Sequence, residues 1–559
     1  MSQDHQTPRR IADRYVAAVA EHDPLVATAL GIRDHDDRLP DLSPEGTAAR
    51  DAIARSTLAE LEASVGAGTW NELELRCAKV LRERLEAGLL VSEAGEHLRA
   101  VNNLFSPVQR VRQVFLLMPT ATSADWAIVA RRMAAVGDAY DSYWRSLEAG
   151  AARGLFAAPR QVEVVVHQLD EWLDGGGGRS WFSTHVTAGP DELRNELDAA
   201  AEGATAGAAR LRDHLRDVYL PQAAGTPDAV GPERYALWAR QWTGADVDLQ
   251  EAYLWAWQEH HRIDDEMRIE ATLVLPGATP MAAMRHLDQH GEAVEGVEAV
   301  RVRLQALMDE VITDLDGTHF DLAAPMKVVE AMIAPPGSAA APYYTRPSMD
   351  FSRPGRTWLP TMGATRFPWW GLASTWYHEG VPGHHLQLAQ WVHVAPQLST
   401  YQTSLGSNSA VTEGWALYAE RLMDELGYLK TPGERLGYLD AQQMRAVRVI
   451  IDIGMHLELE IPSSQAFHPG ARWTPELARE FFGLYCGRDP AFLDSELIRY
   501  LGMPAQAITY KLGERAWLAG RAAAQARSGA SFDAKAWHMA ALSMGTLGLN
   551  DLTDELARL

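Results

Sequence analysis

Three histidines and a glutamate fall within eight positions of the chain, in the run Tyr377-His378-Glu379-Gly380-Val381-Pro382-Gly383-His384-His385-Leu386-Gln387. Two imidazoles can hold a divalent metal ion. A carboxylate beside them can take a proton from water that the ion activates, and this is the donor set of a hydrolytic zinc site. In the usual form, H-E-x-x-H on a helix, the two histidines lie one turn apart on one face. This run departs from that form. Pro382 stands where the second histidine belongs, and the next histidines come six and seven residues after His378.

On a regular helix, residue i+7 returns to the same face but about 10 Å along the axis, and residue i+6 points about 120° away. Neither can share one zinc at about 2.0–2.1 Å from each nitrogen. The helix must therefore break. Pro382 removes an N–H and disfavours helical geometry at Val381, and Gly383 accepts the dihedrals that result. A two-residue bulge at Pro382-Gly383 would bring His378 and His384 within one turn of each other. His385 would then point elsewhere, toward substrate or a supporting partner. The expected ligands are His378 and His384, with Glu379 as general base. The bland reading, buried hydrogen-bonded histidines, suits so dense a cluster poorly.

A zinc site of this kind takes a third protein ligand and leaves one position for water. Glu413, early in the helical pattern Val411-Thr412-Glu413-Gly414-Trp415-Ala416-Leu417-Tyr418-Ala419-Glu420, is the best candidate. Glu420, one face-repeat on, is the runner-up, as ligand or as a group that orients a histidine.

The elements that must position these groups are mostly helical. Residues 8 to about 320 show apolar side chains at three- and four-residue spacing, as in Arg50–Val65, Trp70–Val91, Thr122–Leu147, Pro159–Leu173, Pro190–Tyr219 and Asp248–Leu273. Ser43 and Ser123 are plausible caps. The run Gly175–Gly178 lacks the Lys-Ser/Thr of a phosphate loop and reads as a helix terminator. His260-His261, near Asp264, Asp265 and Glu266, points its two rings about 100° apart on a helix and reads as a solvated charged face. The texture changes near residue 326. Lys327–Ile333, Pro342–Tyr344 and Arg356–Leu359 are strand candidates, with Pro335-Pro336-Gly337 ending the first and Asp350–Gly355 turning between the others. An edge strand there could pair with an extended peptide, or the sheet could be a structural hairpin. Tyr344 is a candidate substrate contact on it. Downstream, Ser407/Asn408 caps a helix, Pro432 opens another running to about Glu460, and Pro475 opens one through Tyr485. Leu493 to about Ala526 is interrupted at Pro504, and a last helix follows Phe532. Arg448, Asp452 and His456, spaced i, i+4, i+8, present a cation, an anion and an imidazole on one face. They form a salt-bridge ladder or a contact for a substrate carboxylate, with Arg499 as a second candidate for the latter.

The 559 residues carry 51 basic against 74 acidic side chains, a net charge of −23. Such a surface argues against nucleic acid or an anionic membrane as partner. Two cysteines, Cys77 and Cys486, suit free thiols in a reducing compartment. The first residues lack a signal-peptide core and no run is long enough to span a membrane, so the expected location is cytoplasmic.

The segments HEGVPGHHLQ, EGWALYAE, RAVRVIIDIGMH and RYLGMPAQAITYKLG, with the weaker PYYTRPSMD and RTWLP upstream, resemble the bacterial "domain of unknown function 885" proteins. That family looks like a distant branch of the thimet-oligopeptidase and angiotensin-converting-enzyme type of helical zinc peptidase. With Val381-Pro382 skipped, HEG–GHHLQ is similar to the oligopeptidase H-E-x-G-H-x-L-H, which favours His384 over His385 as ligand; Gln387 departs from it at a non-ligand position. The resemblance implies a mainly α fold, a two-lobed helical shell around a deep active-site cleft with a small β-sheet near it. The expected organisation is a helical region 1–325, a sheet segment 326–362 and a helical zinc-site region 363–559, intertwined as one catalytic unit. The resemblance also implies that Tyr510 donates a hydrogen bond to the oxyanion. The expected function is hydrolysis of peptide bonds in short peptides with one zinc ion. The alternatives are an amide hydrolase acting on a specialised metabolite and a non-catalytic metal- or peptide-binding protein.

Overall fold

The computed structural model describes residues 7–175, 178–335 and 341–559. It is mainly helical, with five short strands among the described residues. The chain packs as two compact units. One comprises the residues up to Thr69, Leu85–Leu237 and Ser495–Pro504, and the other Trp70–Arg84, Trp238–Asp494 and Ala505–Leu559. The packing thus divides the chain near residue 237 and around 495–504 rather than at 325 and 362. The change of texture at 326 marks where strands begin, but the helices before it already pack in the second unit.

The first unit is built from helices, among them Pro44–Ala67 and the amphipathic Ser123–Ala134, Val136–Ala151, Pro159–Asp174 and Arg194–His214. Val108, Phe115, Tyr140, Leu169 and Leu211 lie in its core. The helix expected over Thr122–Leu147 is two helices, which meet at Ala135. Its N-cap is Thr122, closed by a reciprocal capping box with Asp125, rather than Ser123. Gly175 ends Pro159–Asp174 at φ 37, as a terminator should. Gly176 and Gly177 lie outside the described residues, as do Pro336 and Gly337.

The second unit carries the histidine run. Helix α1 (Leu249–Val274) packs along α6 (Pro432–His456). Helix α2 (Val297–Leu315) lies against strand β2 (Val329–Ile333). β2 pairs in parallel with the central strand β4 (Gly355–Leu359), and β3 (Tyr343–Thr345) pairs antiparallel with its other side, which leaves β3 at an edge. Lys327, expected at the start of the first strand, instead ends a 3-10 turn, Ala324–Lys327, around Pro325. A separate ladder joins β1 (Ala293–Glu295) to β5 (Arg366–Pro368). β5 runs through a 3-10 turn into α3 (Leu372–Glu379), and α4 (His384–His393), α5 (Ser409–Glu425) and α7 (Thr509–Ser528) complete the surroundings.

α5 and α7 touch backbone to backbone. A Cβ added at Gly414 would fall 2.4 Å from the Gly513 carbonyl carbon, and one at Gly513 would fall 2.1 Å from the Ala410 oxygen. α6 ends at His456, short of Glu460, where Glu458 adopts φ 50. His260, expected on a solvated face, is buried against Phe481 and Tyr485, because the acidic side of α1 is the one that turns to Arg262, Arg268 and Arg435.

Candidate metal centre

α3 is almost wholly buried, with Trp376, Tyr377, His378 and Glu379 in its last turn. It stops at Glu379, and α4 begins at His384. Between them the chain makes a four-residue interruption rather than the expected two-residue bulge. Gly380 still donates to the Trp376 carbonyl at 2.9 Å, Gly383 then reaches back to the Tyr377 carbonyl at 3.0 Å, and the Val381–Pro382 peptide is cis. Both glycines are required by space. A Cβ at Gly380 would lie 2.3 Å from the Met308 sulfur, and one at Gly383 would lie 2.0 Å from the His378 carbonyl oxygen. The break is wider than Pro382 alone dictates because another helix holds it open. The Trp415 indole N–H donates to the Pro382 and Gly383 carbonyls at 2.9 and 3.1 Å.

The interruption brings the two imidazoles together, their centroids 4.8 Å apart and their planes 86° to each other. Glu413 faces both from α5. Its Oε2 lies 3.3 Å from His378 Nε2 and 3.6 Å from His384 Nε2. All three donor atoms lie within 4.8 Å of one another, and His378, His384 and Glu413 are the one such group found among the described residues. Bond lengths of about 2.0–2.1 Å in a tetrahedral zinc site require ligand–ligand edges of about 3.3–3.4 Å, so two of the three edges match closely. Glu413 Oε2 is buried, and the polar groups that face it are the two imidazoles. The residues present therefore fit a bound zinc ion.

Glu420, two turns further along α5, has a different role. Its Oε1 accepts from His378 Nδ1 at 2.7 Å and its Oε2 from the Ser374 hydroxyl at 2.6 Å. Both oxygens are engaged, so it orients His378 and leaves Nε2 turned toward Glu413. Arg445 Nη2 stands 4.0 Å from Glu420 Oε1. Three carboxylates, those of Glu379, Glu413 and Glu420, are thus gathered in a largely buried space. Burial opposes a charge on His378, but hydrogen bonds to Glu413 and Glu420 and the nearby Glu379 outweigh it and push the imidazole up to about 10. Burial raises Glu379, against the pull of His378 and His384. Burial also acts upward on Glu413, but its two imidazole partners hold it well below the usual carboxylate range. The surroundings favour positive charge at the triad.

The remaining candidates separate. His385 is fully buried with both nitrogens occupied: Nε2 donates to the Met326 carbonyl at 2.8 Å, and Nδ1 accepts from the Tyr344 hydroxyl at 2.9 Å. Burial pushes it down to about 4. It ties the sheet to α4 and is not placed to touch substrate. Gly355 closes this contact, since a Cβ there would lie 2.4 Å from both His385 Nδ1 and Tyr344 Oη. His456 is wholly enclosed beside Asp452, 3.8 Å away, and is likewise not placed to touch substrate; Asp452 also accepts from the Ala505 N–H at 2.9 Å. The Arg448 guanidinium lies 5.0 Å over the ring of Tyr510, which is half-buried in the first turn of α7. Arg499 belongs to the first unit, where it pairs with Glu496 at 2.7 Å. Sequence reasoning missed Ser374, Arg445 and Trp415. Trp415 and Arg445 carried a signal, their places inside the EGWALYAE and RAVRVIIDIGMH segments.

A profile of the family described as "Bacterial protein of unknown function (DUF885)" matches residues 24–556. The chain belongs to that family. No curated protein matches the sequence. Among solved structures, the chain is similar to a "putative lipoprotein" from Colwellia psychrerythraea, with TM-score 0.84 and 20% identity over 100% of this chain and 99% of that one. It is also similar to a "putative lipoprotein of unknown function" from Shewanella oneidensis, with TM-score 0.74 and 16% identity over 98% and 99% of the two chains. These likenesses establish a shared fold. No helix among the described residues is long and apolar enough to cross a membrane.

Proposed function

We propose that this chain is a zinc-dependent peptidase acting on short peptides. The observation that carries the reading is the convergence of His378, His384 and Glu413 across a broken helix, with Glu379 next to the first ligand and Glu420 behind it. These three residues would hold the ion. When bound, zinc supplies a Lewis acid that acidifies water and polarises a carbonyl oxygen. Glu379, set in a buried position that raises its proton affinity, takes a proton from the attacking water and delivers it to the departing amine. Glu420 and Ser374 hold the His378 ring in the orientation that keeps Nε2 toward Glu413. Tyr510 is the candidate donor to the oxyanion, a role that rests on the resemblance to helical oligopeptidases. Two buried free thiols, Cys77 and Cys486, suit a cytoplasmic location.

The test is a digest of a mixed short-peptide library read by mass spectrometry, with metal content measured on the same protein. Glu379→Gln is expected to keep one zinc per chain and to lose cleavage. Turnover like that of the parent chain in Glu379→Gln, or protein that takes up no zinc, would refute the reading.

A further inference from the structure

The hairpin that leans on the metal-bearing helix carries two arginines with no acidic partner among the described residues. Arg346 Nη1 donates to the Thr403 carbonyl at 2.6 Å. Arg353 donates to the Arg346 and Pro354 carbonyls at 2.9 and 3.4 Å. Among the described residues neither forms an ion pair, although acidic side chains outnumber basic ones 74 to 51 in the chain. The acid between them in sequence, Asp350, is turned away: its Oδ1 accepts from the Ser348 and Ser352 hydroxyls at 2.7 and 2.8 Å and from the Ser352 N–H at 3.0 Å. Burial pushes the Arg346 guanidinium downward, and the groups whose charge bears on it are Tyr344 and Arg353. Two neighbouring, half-buried guanidiniums are thus satisfied by main-chain carbonyls and left with unbalanced positive charge.

Their position ties them to the candidate site. Arg346 lies one residue past the end of β3 and two residues after Tyr344, which places it at most about 7 Å along the chain from that tyrosine. The Tyr344 hydroxyl bonds His385, the neighbour of ligand His384. β3, which carries Tyr344, is an edge strand. We infer that Arg346 and Arg353 form a subsite for a carboxylate of the substrate, so that the protein selects peptides by an anionic group, either a free C-terminus or an acidic side chain. A guanidinium whose contacts are all neutral carbonyls is suited to take a carboxylate in a forked hydrogen-bonded pair. The inference rests on the peptidase reading of the neighbouring site.

The experiment measures calorimetric binding to Glu379→Gln protein of tri- and tetrapeptides prepared in pairs, with a free C-terminal carboxylate or an amide. A third set is amidated and carries one glutamate. Free acids are expected to bind about 10- to 100-fold more tightly than their amides. Arg346→Gln is expected to bring that ratio near one, and Arg346→Lys to keep part of it. Tight binding of the glutamate set alone would assign the subsite to an acidic side chain rather than to the terminus. Equal binding of all three sets would overturn the inference. Arg346 also braces the hairpin, so the ratio in protein with both arginines intact and that in Arg353→Gln decide the matter if Arg346→Gln melts early. Parallel cleavage assays on the unsubstituted enzyme separate the two readings. Cleavage at equal rates for acids and amides removes the subsite and leaves the peptidase. Acid-selective binding with no cleavage of any peptide removes the peptidase and leaves the anion site.

Discussion

Replacing Glu420 with glutamine tests whether the group behind His378 sets the strength of the metal centre. Glu420 is fully buried and receives two charge-assisted hydrogen bonds, at 2.7 Å from His378 and 2.6 Å from Ser374. A glutamine can keep both contacts. Its oxygen accepts from His378 Nδ1–H, its amide donates to the Ser374 oxygen, and the hydroxyl turns to suit. Shape is conserved and only the charge is lost. A hydrogen bond to a charged group contributes about 1.5–3 kcal/mol and a neutral one about 0.5–1.5. The His378 contact should therefore weaken by about 1–1.5 kcal/mol, roughly tenfold in zinc affinity. That falls within the range found when groups behind metal ligands are changed. The measurement is zinc competition against a chromophoric chelator, with thermal melts of the metal-free protein as a control for folding and Glu413→Gln as a ligand-loss reference. Zinc affinity within twofold of the parent chain, in a variant that melts normally, would refute the assignment of Glu420 as the orienting group.

Two further outcomes follow from packing and protonation. Gly414→Ala must push α5 from α7, since the new Cβ would meet the Gly513 carbonyl carbon at 2.4 Å; a loss of about 1–3 kcal/mol in urea unfolding is expected, together with weakened zinc binding because Glu413 moves with its helix. Gly88→Ala, on a helix with nothing within 4 Å of the added carbon, should leave zinc binding alone. His538 is buried and pushed down to about 3 from an ordinary value of 6.5, by burial first and then by Arg521. Its Nε2 accepts from Tyr418, 2.7 Å away, and Tyr418 in turn accepts from Arg521 at 3.0 Å. The unfolded chain binds this proton first on acidification, so the stability contribution is full above about pH 6.5 and is lost as pH falls toward 3. At pH 5 the loss is about 2 kcal/mol. Urea titrations at pH 7 and 5 should show a smaller difference in His538→Gln, and an unchanged difference would remove His538 as the source.

The helices were legible where apolar spacing was regular, and the ends were legible where a proline or a capping residue stood. Pro432 and Pro475 open helices as expected. The break at Ala135 was not legible, because no proline marks it and the nearby Gly137 lies inside the second helix, packed against Gly207. The β1–β5 ladder escaped because three residues on each side carry no periodicity. In the metal run, the need for a break and the grouping of His378 with His384 could be argued from helix geometry alone. Its width could not, because Trp415 and Met308, from other helices, shape it. His385 and His456 looked like substrate contacts because type and spacing do not reveal burial: both are wholly buried, and His385 has both ring nitrogens bonded to interior partners.

The interrupted helix has a consequence for how the centre comes into being. A histidine pair one turn apart belongs to a single helix, and a short peptide could present it. Here the two imidazoles sit on separate helical segments whose angle is kept by an indole from a third, and the carboxylate comes from that same third segment. The donor set is therefore not portable: an isolated stretch covering residues 372–393 lacks both the indole and Glu413. On the zinc reading, metal affinity would be a property of the assembled tertiary structure, gained and lost cooperatively with it, so zinc uptake should report on folding of the whole second unit rather than on local helicity.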